Sequence, residues 1–366
     1  MSADFLALAV PGVQKLSPYV TGKPIDELAR ELGIEPARIV KLASNENPLG
    51  PNPRVLEAVR GELSELTRYP DGSGFRLKAK LAERFGLKSE QITLGNGSND
   101  IIDLVARCCG AGPNAVFSAH AFAAYPLCTQ AAGAESRVVP AVDYGHDLDG
   151  MLKAIDEQTA VIFIANPNNP TGNLVRAQAL ESFLDRVPER VLVVLDEAYI
   201  EFYRGTNCQR LNYLVRYPNL LVSRTLSKVY GLAGLRVGYS ASSPQIADVL
   251  NRVRQPFNVN SLALVAACAG WMTSSIWLKG GGWIAPVWEL EQGLAELRLK
   301  WIPSRGNFLA VDLGRDAAPI NAGLLRDGVI VRPIAGYDCP TFLRVSIGTE
   351  QENARFLEAL RVVLDQ

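Results

Sequence analysis

The chain has 366 residues, of which 48% are hydrophobic and 20% charged, and a formal net charge of −1. Its length points to one large domain with a smaller one beside it, and the balanced charge excludes a global basic surplus for nucleic acid or anionic membrane, leaving only a local patch. Two histidines and six cysteines with no CxxC pair exclude a regularly spaced zinc site.

The opening segment, MSADFLALAVPGVQKLSPYV, has an apolar run with no basic stretch before it, so it does not read as a signal peptide. LGNGSNDIIDLVARCC follows further on, where Gly95, Gly97, Ser98 and Asn99 run into a helix. Free N–H groups at such a helix start bind phosphate, or Ser98 or Asn99 simply caps it. In SAHAFAAYPL, Phe122 or Tyr125 is placed to stack on a flat ring or to fill a core. A buried strand is predicted from Ala160 (AVIFIANP), then the turn NPNNPTG, then an amphipathic helix from Leu174 (LVRAQALESFLDRV). A second strand starts near Arg190 (RVLVVLDEAY) and a third near Asn219 (NLLVSRTLSK). Strand, helix, strand at this rhythm means βαβ units in a mostly parallel sheet. The polar clusters fall at the carboxyl ends of those strands, where such sheets bind ligands.

RQPFNVN, Arg254 to Asn260, reads as a junction. Beyond it, SLALVAACAGWM is too short to cross a bilayer. A helical region, the strand-like GNFLAVDLG and LRVSIGT, and a terminal helix form a second α/β unit. The expected division is an arm over residues 1–40 packing with the small domain, a large domain over 41–260 and the small domain over 261–366. Scattered cysteines fit buried thiols in a reducing compartment, so the expected setting is the cytoplasm.

Lys228 stands behind Ser223, Thr225 and Ser227 and ahead of Arg236. A lysine amine forms a Schiff base with a carbonyl when its surroundings leave part of it neutral. Pyridoxal phosphate enzymes pair such a lysine with a carboxylate on the pyridine nitrogen. Asp196 directly follows a run of apolar residues. Buried there, it either caps the next segment or meets a cation such as a protonated pyridine. Tyr199 and Asn169 are placed to hydrogen-bond a ring oxygen. Ser227 and Arg236 can join the glycine-helix unit in a phosphate cup.

With these residues in view, the sequence resembles the fold type I pyridoxal phosphate-dependent aminotransferases, and among them the histidinol-phosphate aminotransferases. The shared stretches run through nearly the whole chain: KLASNENPLGP, RYPDGSGFRLKAKLAERFG, NPNNPTG, DEAYIEF, RTLSKVYGLAGLRVGY, RQPFNVN, GNFLAVD, GVIVRP and LRVSIGT. The resemblance implies a large domain with a mostly parallel seven-stranded sheet between helices, plus a smaller α/β C-terminal domain. It implies that Lys228 holds the cofactor and moves the substrate's proton, that Asp196 meets the ring nitrogen, and that Tyr199 and Asn169 meet the 3-oxygen. Ser98, Asn99, Thr225, Ser227 and Arg236 would hold the phosphate, with Phe122 on the ring face. Tyr69 would reach the neighbouring subunit's cofactor phosphate, which implies a homodimer with shared sites. Tyr19, Asn45, Arg332 and Arg344 would face the substrate, the two arginines reading either a phosphate or a carboxylate.

The implied reaction is transamination of L-histidinol phosphate with 2-oxoglutarate. Rivals on related scaffolds are an aromatic amino acid aminotransferase, a threonine-phosphate decarboxylase and a non-catalytic regulator. The last is expected to carry a DNA-binding module, for which the residues before Lys41 leave no room. Two departures stand out: GSND where relatives more often have a second acid, and SAHAFAAYP without a proline before its aromatic. The glycine- and tryptophan-rich stretch over 274–292 is expected to alter local packing.

Overall fold

A computed structural model describes residues 5–19, 21–109, 112–203, 210–270 and 284–365. The strands, in chain order, are β1 (Val40–Lys41), β2 (Ile92–Gly95), β3 (Asn114–Ser118), β4 (Glu135–Val139), β5 (Thr159–Ala165), β6 (Leu192–Asp196) and β7 (Leu220–Thr225). They continue with β8 (Gly238–Ala241), β9 (Lys300–Ile302), β10 (Phe308–Asp312), β11 (Val329–Ile330), β12 (Arg332–Pro333) and β13 (Phe342–Ser346).

Seven strands form one sheet in the order β2-β8-β7-β6-β5-β3-β4. All neighbours are parallel except β8, which runs antiparallel to both β2 and β7. The expected mostly parallel sheet is therefore present. β5 and β6 are nearly continuous in apolar residues because helices cover both faces. One side holds Val116, Ile162, Val193 and Val222, the other Ile101, Val161, Phe163 and Leu221.

The predicted helix from Leu174 begins only at Ala177. The Asn166 side chain explains the delay. Its Nδ2 donates to Val175 O (3.2 Å) and its Oδ1 accepts from Val175 N (2.8 Å), which holds that backbone extended.

A second sheet, β12-β13-β10-β9, is antiparallel throughout. Leu343 and Val345 of β13 pack with Leu309, Phe356 and Leu360 on one face. The alternate residues, Arg344 and Ser346, point the other way, toward the seven-stranded sheet. The helix Glu350–Leu364 starts from a capping box of Thr349 and Glu352. β1 pairs with β11 in a separate parallel ribbon, and the helix Ile25–Leu32 packs with Leu325 and Ile330. Residues 271–283, most of the glycine- and tryptophan-rich stretch singled out above, lie outside the described residues; the remainder enters the helix Ile284–Glu296.

Among the described residues no helix is long and apolar enough to cross a membrane, and no group of His, Cys, Asp or Glu could hold a metal. The five described cysteines are free, with Cys268 and Cys339 buried.

Candidate active site

The carboxyl ends of β5, β6 and β7 stay in line because their exits are cross-bonded. Asn166 N donates to Asp196 O and Glu197 N to Ser223 O, each at 2.8 Å. β8 runs in reverse, so its first residue, Gly238, sits between Thr225 of β7 and Gly95 of β2. A cavity of about 260 Å³ opens over these ends.

Lys228 stands in its wall. Nζ donates to Ser44 O at 2.9 Å and lies 5.7 Å from the Tyr199 ring centroid. Desolvation, then the nearby guanidiniums of Arg344 and Arg236, bring the amine down to about 7 against the pull of Glu46 and Asp196. A neutral amine is thus available near neutral pH, as the chemistry of a nucleophilic lysine requires.

Asp196 is 5% exposed. Burial pushes its carboxyl up to about 6. The Tyr125 hydroxyl, donating to Oδ2 at 3.0 Å, and Ala198 N, donating to Oδ1 at 3.2 Å, partly restrain that rise. Tyr125 therefore does not stack over the cavity. Its ring lies on Phe163, 4.8 Å between centroids and 9° from parallel, beneath Asp196. Of the two aromatics in that stretch, Phe122 lines the cavity.

One end of the cavity is built to take an anion. Gly97 (φ 78°) and Ser98 lead into the helix Ser98–Cys109, whose first N–H groups have no partner within the helix. Arg236 closes against this turn and donates to Ser227 Oγ at 3.3 Å. Glycine is required on both sides of the approach. A Cβ on Gly97 would come within 2.4 Å of Arg236 Nη2, and one on Gly238 within 2.6 Å of Ser98 N. Arg236 itself holds a left-handed backbone (φ 56°). Asn99 and Thr225 line the same end.

The other end carries Arg332, Arg344 and Tyr19. Arg344 is 6% exposed and donates to Asn169 Oδ1 and Ala43 O, each at 2.6 Å. Its Nε is buried without a hydrogen-bond partner among the described residues. Arg332 lies 5.2 Å above the Tyr19 ring. Asn45 joins this wall to Tyr199, whose hydroxyl accepts from Asn45 Nδ2 at 3.0 Å. Burial, partly offset by Arg344 and Asn45, raises the Tyr199 phenol to about 12.

Fourteen of the expected residues therefore converge on one cavity, namely Tyr19, Asn45, Ser98, Asn99, Phe122, Asn169, Asp196, Tyr199, Thr225, Ser227, Lys228, Arg236, Arg332 and Arg344. Tyr69 lies elsewhere. It is 82% exposed and stacks on Phe257 at 4.8 Å, outside this chain's own cavity. The sequence reading missed Ser44, Thr21 and Gly22, which line the cavity through the N-terminal arm and its continuation. Small residues in extended chain carry no periodic signal, so nothing local marked them.

A planar molecule with an anion at one end, a carbonyl for Lys228 and a basic ring atom for Asp196 matches this donor set. The sequence pattern of the aminotransferase class I and II family matches residues 37–360. The chain belongs to the class I and II aminotransferases. The aminotransferase is 66% identical over 369 residues, covering 99% of both chains, to a protein of Pseudomonas aeruginosa named histidinol-phosphate aminotransferase 2. It superposes with a TM-score of 0.89, at 30% identity and 97% coverage of both chains, on the histidinol-phosphate aminotransferase of Sinorhizobium meliloti solved with pyridoxal-5'-phosphate. An L-threonine-O-3-phosphate decarboxylase from Porphyromonas gingivalis shares the fold at a TM-score of 0.77 and 20% identity, covering 90% of this chain and all of its own.

Proposed function

We propose that this aminotransferase uses pyridoxal 5'-phosphate to move the amino group of L-histidinol phosphate to 2-oxoglutarate, giving imidazole acetol phosphate and glutamate in histidine biosynthesis. The observation that carries this reading is the 66% identity, end to end, with the Pseudomonas aeruginosa protein of that name. The paired arginines at the far end of the cavity supply a chemical reason, because a substrate that ends in phosphate needs them.

The cofactor fits the residues present. The glycine-framed turn at Gly97 leaves open amides and Arg236 for its phosphate, and buried Asp196 needs a cation. Lys228 would hold it covalently and Asp196 its ring nitrogen, with Asn169 and Tyr199 at the 3-oxygen. Ser98, Asn99, Thr225, Ser227 and Arg236 would hold its phosphate, and Phe122 its face. Bound there, it supplies an electron sink for charge developing at the substrate's α-carbon. The chain itself does the rest. Lys228 Nζ, about half neutral at pH 7, would take the proton from the substrate's α-carbon and return it at the cofactor's C4′ carbon. Asp196 stays ionised beside a cation, and Arg332 and Arg344 fix the substrate's far end.

The working form is a homodimer in which Tyr69 completes the partner's phosphate cup. Tyr69, Phe75 (70% exposed) and Leu66 (56%) are large apolar side chains left exposed within residues 66–75, where a second copy could cover them. The described free thiols fit the cytoplasm. The domain division is 1–40, 41–260 and 261–366, with the arm tied to the last part through Ile25–Leu32 and β1.

The test is a half-reaction. The pyridoxal phosphate form is mixed with L-histidinol phosphate and, separately, L-phenylalanine, and loss of the visible cofactor band is followed. A much larger kcat/KM for histidinol phosphate is expected. Preference for phenylalanine would reassign the arginines to a carboxylate and the enzyme to aromatic amino acids.

A further inference from the structure

Ser346, the last residue of β13, has no role in the account above, yet it is 4% exposed and meets the cavity wall at Asn45. Both contacts of its hydroxyl are with that one residue. Ser346 Oγ accepts from Asn45 N at 2.7 Å and lies 2.9 Å from Asn45 Oδ1. A serine hydroxyl has one hydrogen to give. With the backbone N–H already donating to it, that hydrogen goes to Asn45 Oδ1. The carboxamide is then fixed in one sense, with Oδ1 on Ser346 and Nδ2 on Tyr199. Nδ2 only donates, so the Tyr199 oxygen must accept there. The phenolic hydrogen is left to point into the cavity.

We propose that Ser346 is a positioning residue that fixes the Asn45 carboxamide and thereby commits the Tyr199 hydroxyl to donate into the cavity. The asparagine backbone supports the same orientation. Asn45 sits in the left-handed region (φ 54°), and its carbonyl accepts from Asn307 Nδ2 at 3.0 Å. Without Ser346 the amide can turn over. Oδ1 would then face Tyr199, draw the phenolic hydrogen to itself and leave the cavity without that donor. The relay spans 301 residues, and it carries the state of β13 to the cofactor side of the cavity. Arg344, two residues earlier on the same face of β13, reads the substrate's anion.

This inference rests on pyridoxal phosphate as the cofactor, with its 3-oxygen as the acceptor of the Tyr199 hydrogen. A donor there favours the deprotonated oxygen. Loss of the donor therefore raises the pH midpoint of the cofactor's visible absorption band. The other groups that bear on Tyr199 are Arg344, Asp196, Tyr337 and Lys228, and Ser346→Ala leaves each in place.

The experiment is a spectroscopic pH titration of the pyridoxal phosphate-loaded protein. Ser346→Ala is expected to raise the midpoint by roughly 0.5 to 1 unit, the worth of one hydrogen bond. Ser346→Thr, which keeps the hydroxyl, is expected to titrate as wild type. In a Tyr199→Phe background, Ser346→Ala is expected to add no shift. An unchanged midpoint in Ser346→Ala, or a shift that persists in Tyr199→Phe, overturns the relay alone. A wild-type protein that takes up no cofactor and shows no visible band overturns the relay together with the cofactor reading. Should Ser346→Ala fail to fold, a displaced midpoint in soluble Ser346→Thr would overturn the proposal, and a wild-type midpoint there would support it.

Discussion

Arg332 and Arg344 are register partners across β12 and β13, so two guanidiniums are mounted side by side on one face of an antiparallel pair. Like charges directly opposite each other destabilise a sheet, and Arg344 is buried, which brings its ionisation below the ordinary arginine range. The arrangement has a purpose if an anion sits between them. Arg332→Gln is expected to lower kcat/KM for L-histidinol phosphate by roughly 10- to 100-fold, as for a lost charge-assisted hydrogen bond, while turnover of L-phenylalanine changes far less. Steady-state kinetics with both donors checks this, and an equal loss on both would mean that the pair does not read phosphate.

The depressed Lys228 amine makes the cofactor-free protein pH-sensitive in a fixed direction. Its ordinary value is 10.5 and the folded value is about 7. Between the two, the unfolded chain keeps a proton that the folded chain has shed, so stability rises with pH there. The burden is full below about pH 7 and relieved above 10.5. Lys228→Met removes it. In cofactor-free protein, the stability of the variant relative to wild type, followed through Tm, is expected to improve steadily from pH 10 down to pH 7, by up to roughly 1.4 kcal/mol per pH unit. A Tm difference that ignores pH would show that the amine titrates normally.

Asp196 carries the opposite dependence. Its folded value, about 6, lies above the ordinary 3.8. Its neutral form stabilises the empty site fully below about 3.8, and that stability is lost as pH rises through about 6. At pH 8 the buried carboxylate is a burden that the proposed pyridinium partner would offset. Asp196→Asn is therefore expected to gain Tm relative to wild type in cofactor-free protein at pH 8 but not at pH 4. The same change is expected to weaken cofactor retention and cut kcat at least about 100-fold, because a preorganised charge is gone. Thermal scans at the two pH values and an activity assay read these separately.

The parts of the site that were legible lie where chemistry breaks a local pattern. Asp196 follows Val193, Val194 and Leu195, so burial could be read from its neighbours, and Lys228 trails hydroxyls at the end of another strand. Tyr125 was legible only as an aromatic, since whether a ring stacks on a ligand or lies under a carboxylate depends on β5, which supplies Phe163. Ser346 was not legible at all. In LRVSIGT the arginine is anomalous and the serine is not, and its partner is 301 residues away. The late start of the helix at Ala177 has the same cause, because the Asn166 amide competes for a backbone that the hydrophobic period alone would make helical.

Glu197, next to Asp196, points to the other face of the sheet and is fully buried. Its Oε2 accepts from Arg224 Nε (3.0 Å) and Nη2 (2.7 Å), and its Oε1 from Arg210 Nη1 (3.4 Å). Both arginines are buried too, at 7% and 2% side-chain exposure. One carboxylate therefore serves two desolvated cations directly behind Asp196, the residue proposed to meet the cofactor ring. Glu197→Gln leaves both guanidiniums facing a neutral amide and is expected to cost about 3 to 5 kcal/mol, the penalty for uncompensated buried charge. A lower urea midpoint at unchanged m-value checks this. The same substitution removes a negative neighbour that helps to raise Asp196. Cofactor retention in the folded variant is therefore expected to persist to lower pH than in wild type, even as the protein unfolds more easily. A variant that lost stability and also released cofactor at higher pH would show that Glu197 holds Asp196 in place rather than opposing its charge.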